Sequence, residues 1–153
     1  MTPDLLSNLP SRIHMILEEG AKEGASRIAF TDEDGAEWSY RRLIDTVADV
    51  AGKMAELGVR PGDRVMVVCE NSIAAIVLMY AASRLDAWSV MTSARLSSRE
   101  IDLIKEDSSP RCVFYTHTIS SEADAHARRH GATLEVFDEI GRVKVGSLDA
   151  GTM

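Results

Sequence analysis

The sequence predicts an α/β fold in which helices flank a parallel sheet. Four short apolar segments begin near residues 64, 88, 112 and 133, about two dozen residues apart. A segment with a helical pattern or a helix-capping residue separates each from the next. Because parallel strands need a crossover of a dozen or more residues, this spacing is typical of right-handed βαβ units.

A helix and a short hairpin are expected ahead of these units. The helix is predicted over Leu5 to Glu19, and Pro10 sets where its regular part begins. Two strand-like runs, Arg27 to Thr31 and Glu37 to Tyr40, flank an Asp-Glu-Asp-Gly turn. Gly35 suits that turn because glycine accepts a positive φ without steric cost.

The next helix has the clearest pattern in the chain. Ser39 can cap its N-terminus, and Gly58 ends it. Apolar residues between them recur at helical spacing, namely Leu43, Val47, Val50 or Ala51, Met54 and Leu57. A turn at Pro61 and Gly62 then leads into Arg64 to Cys69, an apolar run typical of a strand buried in a parallel sheet.

Three further helices are predicted between the strands. Ile73 to Leu85, begun by Asn71 or Ser72, is apolar nearly all round, so both its sides should be covered. Ser97 and Glu100 form a capping box before a helix that ends near residue 107. Ser120 or Ser121 caps the last helix, which ends near residue 131. The strands are expected over residues 88–91, a second core strand, and over 112–116 and 133–137.

These elements place residues 1–137 in one α/β unit. Residues 138–153 contain three glycines and are interpreted as a hairpin or linker leading onward. The run from Asp149 to Met153 has no terminal helix or cap, which favours a piece of a longer protein.

Composition excludes several function classes. The net charge of −7 and pI of about 5.1 argue against binding of nucleic acid or of anionic lipid. The N-terminal segment from Met1 to Glu19 carries acids and no long apolar run, so it is not a signal peptide. The longest apolar run, Ile73 to Ala82, is too short to span a bilayer. A cytoplasmic protein is the resulting expectation.

Two cysteines and two tryptophans are better explained by packing than by ligand binding. Cys69 and Cys112 are expected to be buried, reduced thiols, although a disulfide stays open; no Cys-x-x-Cys motif indicates a metal site. Trp38 and Trp88 could be ligand platforms, but core or hairpin packing is the preferred interpretation.

Nucleotide-binding motifs of the common kinds are missing. After the first core strand the chain reads Glu70-Asn71-Ser72-Ile73, without the glycines that let a dinucleotide pyrophosphate approach the backbone. A Walker loop ending in Gly-Lys-Ser/Thr is also absent. No catalytic set can be assigned from the spacing of serines, histidines and acids.

One helix carries a candidate metal stripe. Glu122, His126 and His130 are spaced four residues apart, but His-Glu-x-x-His is not present, and Arg128 and Arg129 crowd the stripe. A solvated helix face is therefore preferred, and no metal ligands are predicted.

Several motifs, in order, resemble those of the adenylate-forming enzymes, which include acyl- and aryl-CoA synthetases, luciferases and peptide-synthetase adenylation domains. Trp38 to Leu43 resembles the first signature of that family, Leu-Thr-Tyr-x-Glu-Leu. Leu57 to Val65 and Glu70 to Ser72 resemble the segments before and after its first core strand. Ala82 to Trp88 and Ser93 to Leu96 resemble the second signature, Lys-Ala-Gly-Ala followed by Asn-Pro-Arg-Leu.

The resemblance covers residues 10–137 and includes departures from the family pattern. Arg42 stands where glutamate is common, Asp86 where glycine is common, and Ser93-Ala94 replaces Asn-Pro. None of these positions is catalytic in the family, so the departures concern local packing.

The resemblance implies an N-terminal segment of an AMP-forming acyl- or aryl-CoA synthetase. Such an enzyme uses ATP, Mg²⁺ and CoA, and forms an acyl-adenylate before it transfers the acyl group to the CoA thiol. The family's phosphate loop, Thr-Ser-Gly-Thr-Thr-Gly, is absent from the 153 residues. The chain itself is therefore expected to lack catalytic and metal-binding residues, to hold no cofactor and to be inactive alone.

Arg95 is the one residue that the resemblance connects with a ligand. It matches the arginine of Asn-Pro-Arg-Leu, which contacts a phosphate of CoA in some aryl-CoA ligases of the family. Solvation of Arg95 ahead of the capped helix is the alternative.

Two other hypotheses stay open. The chain could be a stand-alone interaction module that pairs with itself or a partner through apolar surface on the Ile73 to Leu85 helix. It could also be an unrelated flavodoxin-like binding domain. Neither the carboxylic acid nor the thiol acceptor of the synthetase hypothesis can be chosen from the sequence.

Overall fold

A computed structural model describes residues 5–146 of the chain. A single 3-10 turn, Leu5–Asn8, precedes the first α-helix, α1, at Met15–Lys22. The continuous helix predicted over residues 5–19 is therefore wrong in its bounds. Pro10 accounts for the interruption after Asn8, because it lacks an N–H and disfavours helical backbone at the residue before it.

A two-stranded antiparallel hairpin follows α1, as predicted. Its strands are β1, Ile28–Thr31, and β2, Glu37–Ser39. Helix α2, Tyr40–Glu56, begins directly after β2, and the Ser39 hydroxyl accepts a hydrogen bond from the backbone N–H of Arg42. The predicted cap of this helix is confirmed.

The main sheet has five strands in the order β4-β3-β5-β7-β6. Strands β3 (Arg64–Cys69), β4 (Trp88–Ser93) and β5 (Cys112–Tyr115) are parallel. Strand β6 (Leu134–Val136) runs in the same direction as these three, but β7 (Val143–Val145) lies between β5 and β6 and is antiparallel to both. The α/β fold class is confirmed.

The strand after residue 137 is the main addition to the predicted topology. Within the segment interpreted as a hairpin or linker, a 3-10 turn at Asp138–Ile140 joins β6 to β7. Residues 138–146 thus continue the sheet. The expectation about the run from Asp149 to Met153 lies outside the described residues. The division of the chain at residue 137 stays a prediction.

Helices cover both faces of the sheet. Helix α3 (Ile73–Arg84) packs with α2 on one face, and α4 (Ser98–Ser108) and α5 (Ser121–Arg129) pack on the other. Alternate residues of β3 enter the two cores, with Val65 and Val67 in one and Met66 and Val68 in the other. Both cores consist of buried apolar residues, so the sheet is held from two sides.

Helix α3 and strand β4 differ in how far their exposure agrees with the prediction. Helix α3 is largely covered as predicted, with eight of its residues buried, while Ile76 and Met79 are only partly buried. Self-association through this helix stays a prediction. Strand β4, predicted as a core strand, lies at the edge of the main sheet, and its Trp88 is 69% exposed. Among residues 5–146, no helix has the length and apolar character needed to cross a membrane.

Candidate functional site

The carboxyl ends of β3, β4 and β5 meet at one edge of the sheet. Glu70 to Ser72 follow β3, Ala94 to Leu96 follow β4, and Thr116 follows β5. Loops at the carboxyl ends of parallel strands are where open α/β sheets place their ligands. We refer to this region as the carboxyl edge.

An open cavity of about 670 Å³ lies at the carboxyl edge. Apolar side chains from α3, β4 and the hairpin form much of its wall, and polar groups at the ends of β3 and β4 form the remainder. The lining residues are Phe30, Cys69, Glu70, Asn71, Ser72, Ala75, Ile76, Met79, Met91, Thr92, Ser93 and Arg95. Apolar walls with a few convergent polar groups are typical of small-molecule sites.

The β1–β2 hairpin forms one wall of this cavity because its turn lies over the start of α3. The carboxylate of Asp32 accepts a hydrogen bond of 3.4 Å from the backbone N–H of Ile73, and Phe30 lines the cavity. An acidic group at a helix N-terminus is favoured by the helix dipole. The acidic turn, expected only to close a hairpin, therefore also ties that hairpin to the carboxyl edge.

Glu70 and Arg95 join two of the strand ends. The Nε of Arg95 donates a 3.0 Å hydrogen bond to Oε1 of Glu70, across the cavity from the end of β4 to the end of β3. The Arg95 side chain is nonetheless 79% exposed. Because Arg95 is so exposed, this ion pair contributes little to stability, and another anion can compete with Glu70 for the guanidinium.

Carboxylates surround Arg95 and act against an anionic ligand. A second cavity of about 360 Å³ shares Glu70 and Arg95 with the first and is also lined by Glu33 and Glu122. The pKa of Glu122 is lowered by hydrogen bonds from its own backbone and from two neighbouring serines, and also by the charge of Arg95. Arg95 suits a phosphate by its chemistry, but its surroundings are net acidic. A contact between Arg95 and a CoA phosphate stays a prediction.

The loop that carries Arg95 is held from α5 by His126. The Nε2 of His126 lies 3.1 Å from the carbonyl oxygens of both Ala94 and Leu96, the residues on either side of Arg95. His126 is only 7% exposed. The interpretation of this helix face as solvated was therefore wrong for His126, although Glu122 is exposed.

His130 belongs to the same buried face of α5. Its Nδ1 lies 2.5 Å from the Tyr115 hydroxyl, and its Nε2 lies 2.8 Å from Oδ1 of Asp102 on α4. Burial lowers the pKa of His130, although the hydrogen bond to Asp102 opposes that effect. Arg129 completes the arrangement with two hydrogen bonds to Asp102, of 2.7 and 2.8 Å.

One signal in the sequence points to this buried face. Ala123, His126, Ala127 and His130 recur at helical spacing and so share one side of α5, with two small apolar residues among them. The neighbouring Arg128 and Arg129 obscured that pattern. Within the described part of the chain, no group of three or more histidine, cysteine or acidic side chains could hold a metal ion.

The other candidates lie away from the carboxyl edge or serve packing. Trp38 is buried as predicted, whereas the preferred interpretation of Trp88 as a packed residue is wrong. Trp88 lines a separate cleft of about 350 Å³ beside residues 11–13, which precede α1. Cys69 and Cys112 are both free thiols. Cys112 is buried, and Cys69 is half-buried in the wall of the 670 Å³ cavity.

Comparison with known proteins assigns this fold to a family. A family model described as AMP-binding enzyme matches residues 17–150. A long-chain-fatty-acid–CoA ligase, FadD13, of Mycobacterium tuberculosis is 32% identical over 99 residues, which are 65% of this chain and 19% of that protein. A 4-hydroxybenzoate–CoA/benzoate–CoA ligase of Rhodopseudomonas palustris is 31% identical over 99 residues, 64% of this chain and 18% of that protein.

A solved structure agrees with these matches. The N-terminal domain of FACL13 from Mycobacterium tuberculosis has a TM-score of 0.63 and 26% identity, over 67% of this chain and 26% of that chain. The chain thus spans about a fifth of the length of the two ligases and about a quarter of the solved domain.

Proposed function

This chain belongs to the family of AMP-binding enzymes, and we propose that it is a segment of an AMP-forming acyl- or aryl-CoA ligase. The longer protein that would contain it is called the parent ligase below. The observation that carries the proposal is the family match over residues 17–150, supported by similarity to ligases for both fatty and aromatic acids.

The proposed reaction has two steps. A carboxylate oxygen of the substrate attacks the α-phosphorus of ATP, so an acyl–phosphate bond forms and pyrophosphate leaves. The CoA thiol then loses its proton and attacks the acyl carbon, so a thioester forms and AMP leaves. Mg²⁺, when bound with ATP, would neutralise phosphate charge in the first step.

This segment is proposed to supply scaffold and one wall of the site. The two-sided core fixes the carboxyl ends of β3, β4 and β5, and an open cavity lies there. Arg95 is the residue proposed to meet a phosphate of CoA, with Glu70 as its competitor. No residue of the segment is proposed to carry out bond making or breaking.

Pyrophosphate release tests the proposal. The purified 153-residue chain with ATP, Mg²⁺, CoA and a panel of fatty and aromatic acids is expected to release none above an enzyme-free blank. The parent ligase, expressed from the source reading frame, is expected to release pyrophosphate with a preferred acid and to yield the acyl-CoA by mass. Release by the short chain would overturn its proposed inactivity, and a parent without acid-dependent release would overturn the ligase proposal.

Self-association is the second candidate, and β4 is the feature that favours it. This edge strand, Trp88–Ser93, contains no charged residue and no proline, the devices by which natural proteins protect sheet edges. Ile13 and Trp88 are both exposed, and both line the adjoining cleft. Sedimentation of the chain over a hundredfold concentration range tests this candidate, and a constant monomer mass would contradict it.

A cytoplasmic location is part of the proposal. The free thiols Cys69 and Cys112 accord with a reducing compartment. Fractionation of source cells, with recovery in the membrane or secreted fraction as the contrary result, tests it.

A further inference from the structure

We propose that His126 is a positioning residue that sets where Arg95 stands at the carboxyl edge. The functional part of this inference rests on the proposed ligase function. The structural part, that His126 fixes the loop between β4 and α4, depends only on the contacts of this chain.

The two carbonyl groups that flank Arg95 share one donor. Ala94 is fully buried, and its carbonyl oxygen and that of Leu96 both lie 3.1 Å from Nε2 of His126. A buried carbonyl without a partner is costly, so this bifurcated contact favours one conformation of the loop. Arg95 is thereby held at its backbone from both sides.

The tautomer of His126 follows from its second contact. Nη2 of Arg129 lies 3.2 Å from Nδ1 of His126, and a guanidinium can only donate. Nδ1 must therefore accept, and the ring proton resides on Nε2, where it faces the two carbonyl oxygens. Arg129 thus selects the tautomer that can hold the loop, as second-shell partners do in other histidine sites.

Rigid elements anchor this contact. Arg129 donates two hydrogen bonds to Asp102 of α4, and Asp102 also accepts from His130. His130 in turn meets the hydroxyl of Tyr115, a fully buried residue of β5. The position of His126 is therefore fixed from two helices and the centre of the sheet, which is what a well-placed binding residue requires.

The side chain of Arg95 stays open while its backbone is fixed. Its Nε donates to Glu70, and 79% of the side chain is exposed. A guanidinium on a fixed backbone meets an anionic group with less loss of conformational freedom than one on a mobile loop. His126 would therefore act on the affinity for the CoA phosphate, and not on the chemical steps.

Three variants separate these effects. H126L removes the donor at similar volume, and H126Q keeps an amide donor. R128Q is the matched control on α5, because Arg128 is 75% exposed and bonds to Asp124, away from the loop. None of the three removes Arg95.

The first measurement is hydrogen exchange of residues 93–97 in the 153-residue chain. H126L is expected to raise the amide exchange rate of this loop about tenfold, because a hydrogen bond is lost. H126Q should stay within about threefold of the rate in the natural chain. R128Q should exchange at the natural rate. Unchanged exchange in H126L would overturn the proposal.

A measurement on the natural chain covers the case in which H126L fails to fold. The ¹⁵N shifts of the His126 ring are expected to show a protonated Nε2 and an unprotonated Nδ1. The opposite tautomer would overturn the proposal without any variant.

Kinetics of the parent ligase test the link to Arg95. H126L is expected to raise KM for CoA about tenfold, in line with the looser loop, and to leave kcat and KM for ATP unchanged. H126Q should restore KM for CoA. Faster loop exchange with unchanged KM for CoA would overturn the role of His126 in CoA binding. A natural parent that forms no acyl-CoA would instead overturn the ligase function, and the loop result would stand separately.

Discussion

The ring of Tyr40 lies against the backbone of Gly20, so that a Cβ added at Gly20 would come within 2.3 Å of Cε1 of that ring. Gly20 is in α1 and Tyr40 is the first residue of α2, so the contact sets how closely the two helices approach. Tyr40 is also the tyrosine of the first family signature. The tyrosine at this position of the signature thus has a packing role in this chain.

Gly20→Ala is expected to destabilise the chain despite the usual gain from alanine in a helix. Alanine ordinarily adds about 1 kcal/mol over glycine in a helix, but overpacking costs about 1–3 kcal/mol, so a net loss near 1 kcal/mol is expected. Urea unfolding measures the change. In a Tyr40→Leu background the same substitution should be neutral or stabilising, and an equal loss there would contradict the contact.

Two other glycines at α2 are expected to respond oppositely to alanine. Gly58 has a φ of +96° after the helix, and an added Cβ would lie 3.2 Å from Nη2 of Arg111. Gly52 lies within the helix with open space around its added Cβ. Gly58→Ala should lower the free energy of unfolding by about 1–2 kcal/mol, and Gly52→Ala should raise it by about 0.5–1 kcal/mol. Thermal melts of both variants check this, and the same sign of change in both would be contrary to it.

Local chemistry was enough to predict most elements. Ser39, Ser72 and Ser97 each cap a helix through contacts within three residues, and the apolar run Arg64–Cys69 has the bounds that the sequence predicts. Such signals depend only on neighbours along the chain, so they survive in the sequence.

Features that depend on distant partners were not predictable in this way. The position of β7 between β5 and β6 rests on pairing of Val145 with Phe114 and with Leu134, which no local pattern records. The burial of His126 depends on carbonyl groups about thirty residues away, and its charged neighbours pointed to solvent. The cavity at the carboxyl edge has the same origin, since its wall combines Phe30 with residues after β3 and β4.

Stability is expected to fall between neutral and mildly acid pH because of His130. Burial lowers the pKa of this histidine in the folded chain, so the folded state favours the neutral ring. The resulting stabilisation is present above the unfolded value of about 6.5 and is lost as pH falls through that value toward the lower folded pKa. Asp102 opposes the shift, while Arg129 and Lys105 reinforce it.

Urea midpoints at several pH values between 7.5 and 5 test this dependence. His130→Gln should flatten the curve in that range, while Arg128→Gln should leave its shape unchanged. An identical fall in the His130→Gln variant would assign the pH dependence to other groups.

Both thiols are expected to resist modification in the folded chain. Burial raises the pKa of Cys112 to about 12, and burial followed by the charge of Glu70 raises that of Cys69 to about 11. The thiolate is the reactive form, so little of it exists at pH 8. Labelling with a maleimide should be slow for both, with Cys69 ahead of the buried Cys112, and fast for both in urea. Rapid native labelling of Cys112 would contradict its burial.

The departure at Arg42 from the family signature has a structural reason. The guanidinium carbon of Arg42 lies 3.6 Å from the centroid of the Trp38 ring, and Nη1 donates to the carbonyl of Glu37. The positive charge of Arg42 is attracted to the face of the Trp38 ring. A glutamate carboxylate at this position would be repelled by it. Arg42→Gln should lower the free energy of unfolding by about 0.5–1 kcal/mol and change the fluorescence emission of Trp38.

A Trp88→Phe background isolates the emission of Trp38, and in that background Arg42→Lys should keep part of the stability. Equal unfolding energies and emission for the natural, Gln and Lys chains would show that the stacked contact does not contribute.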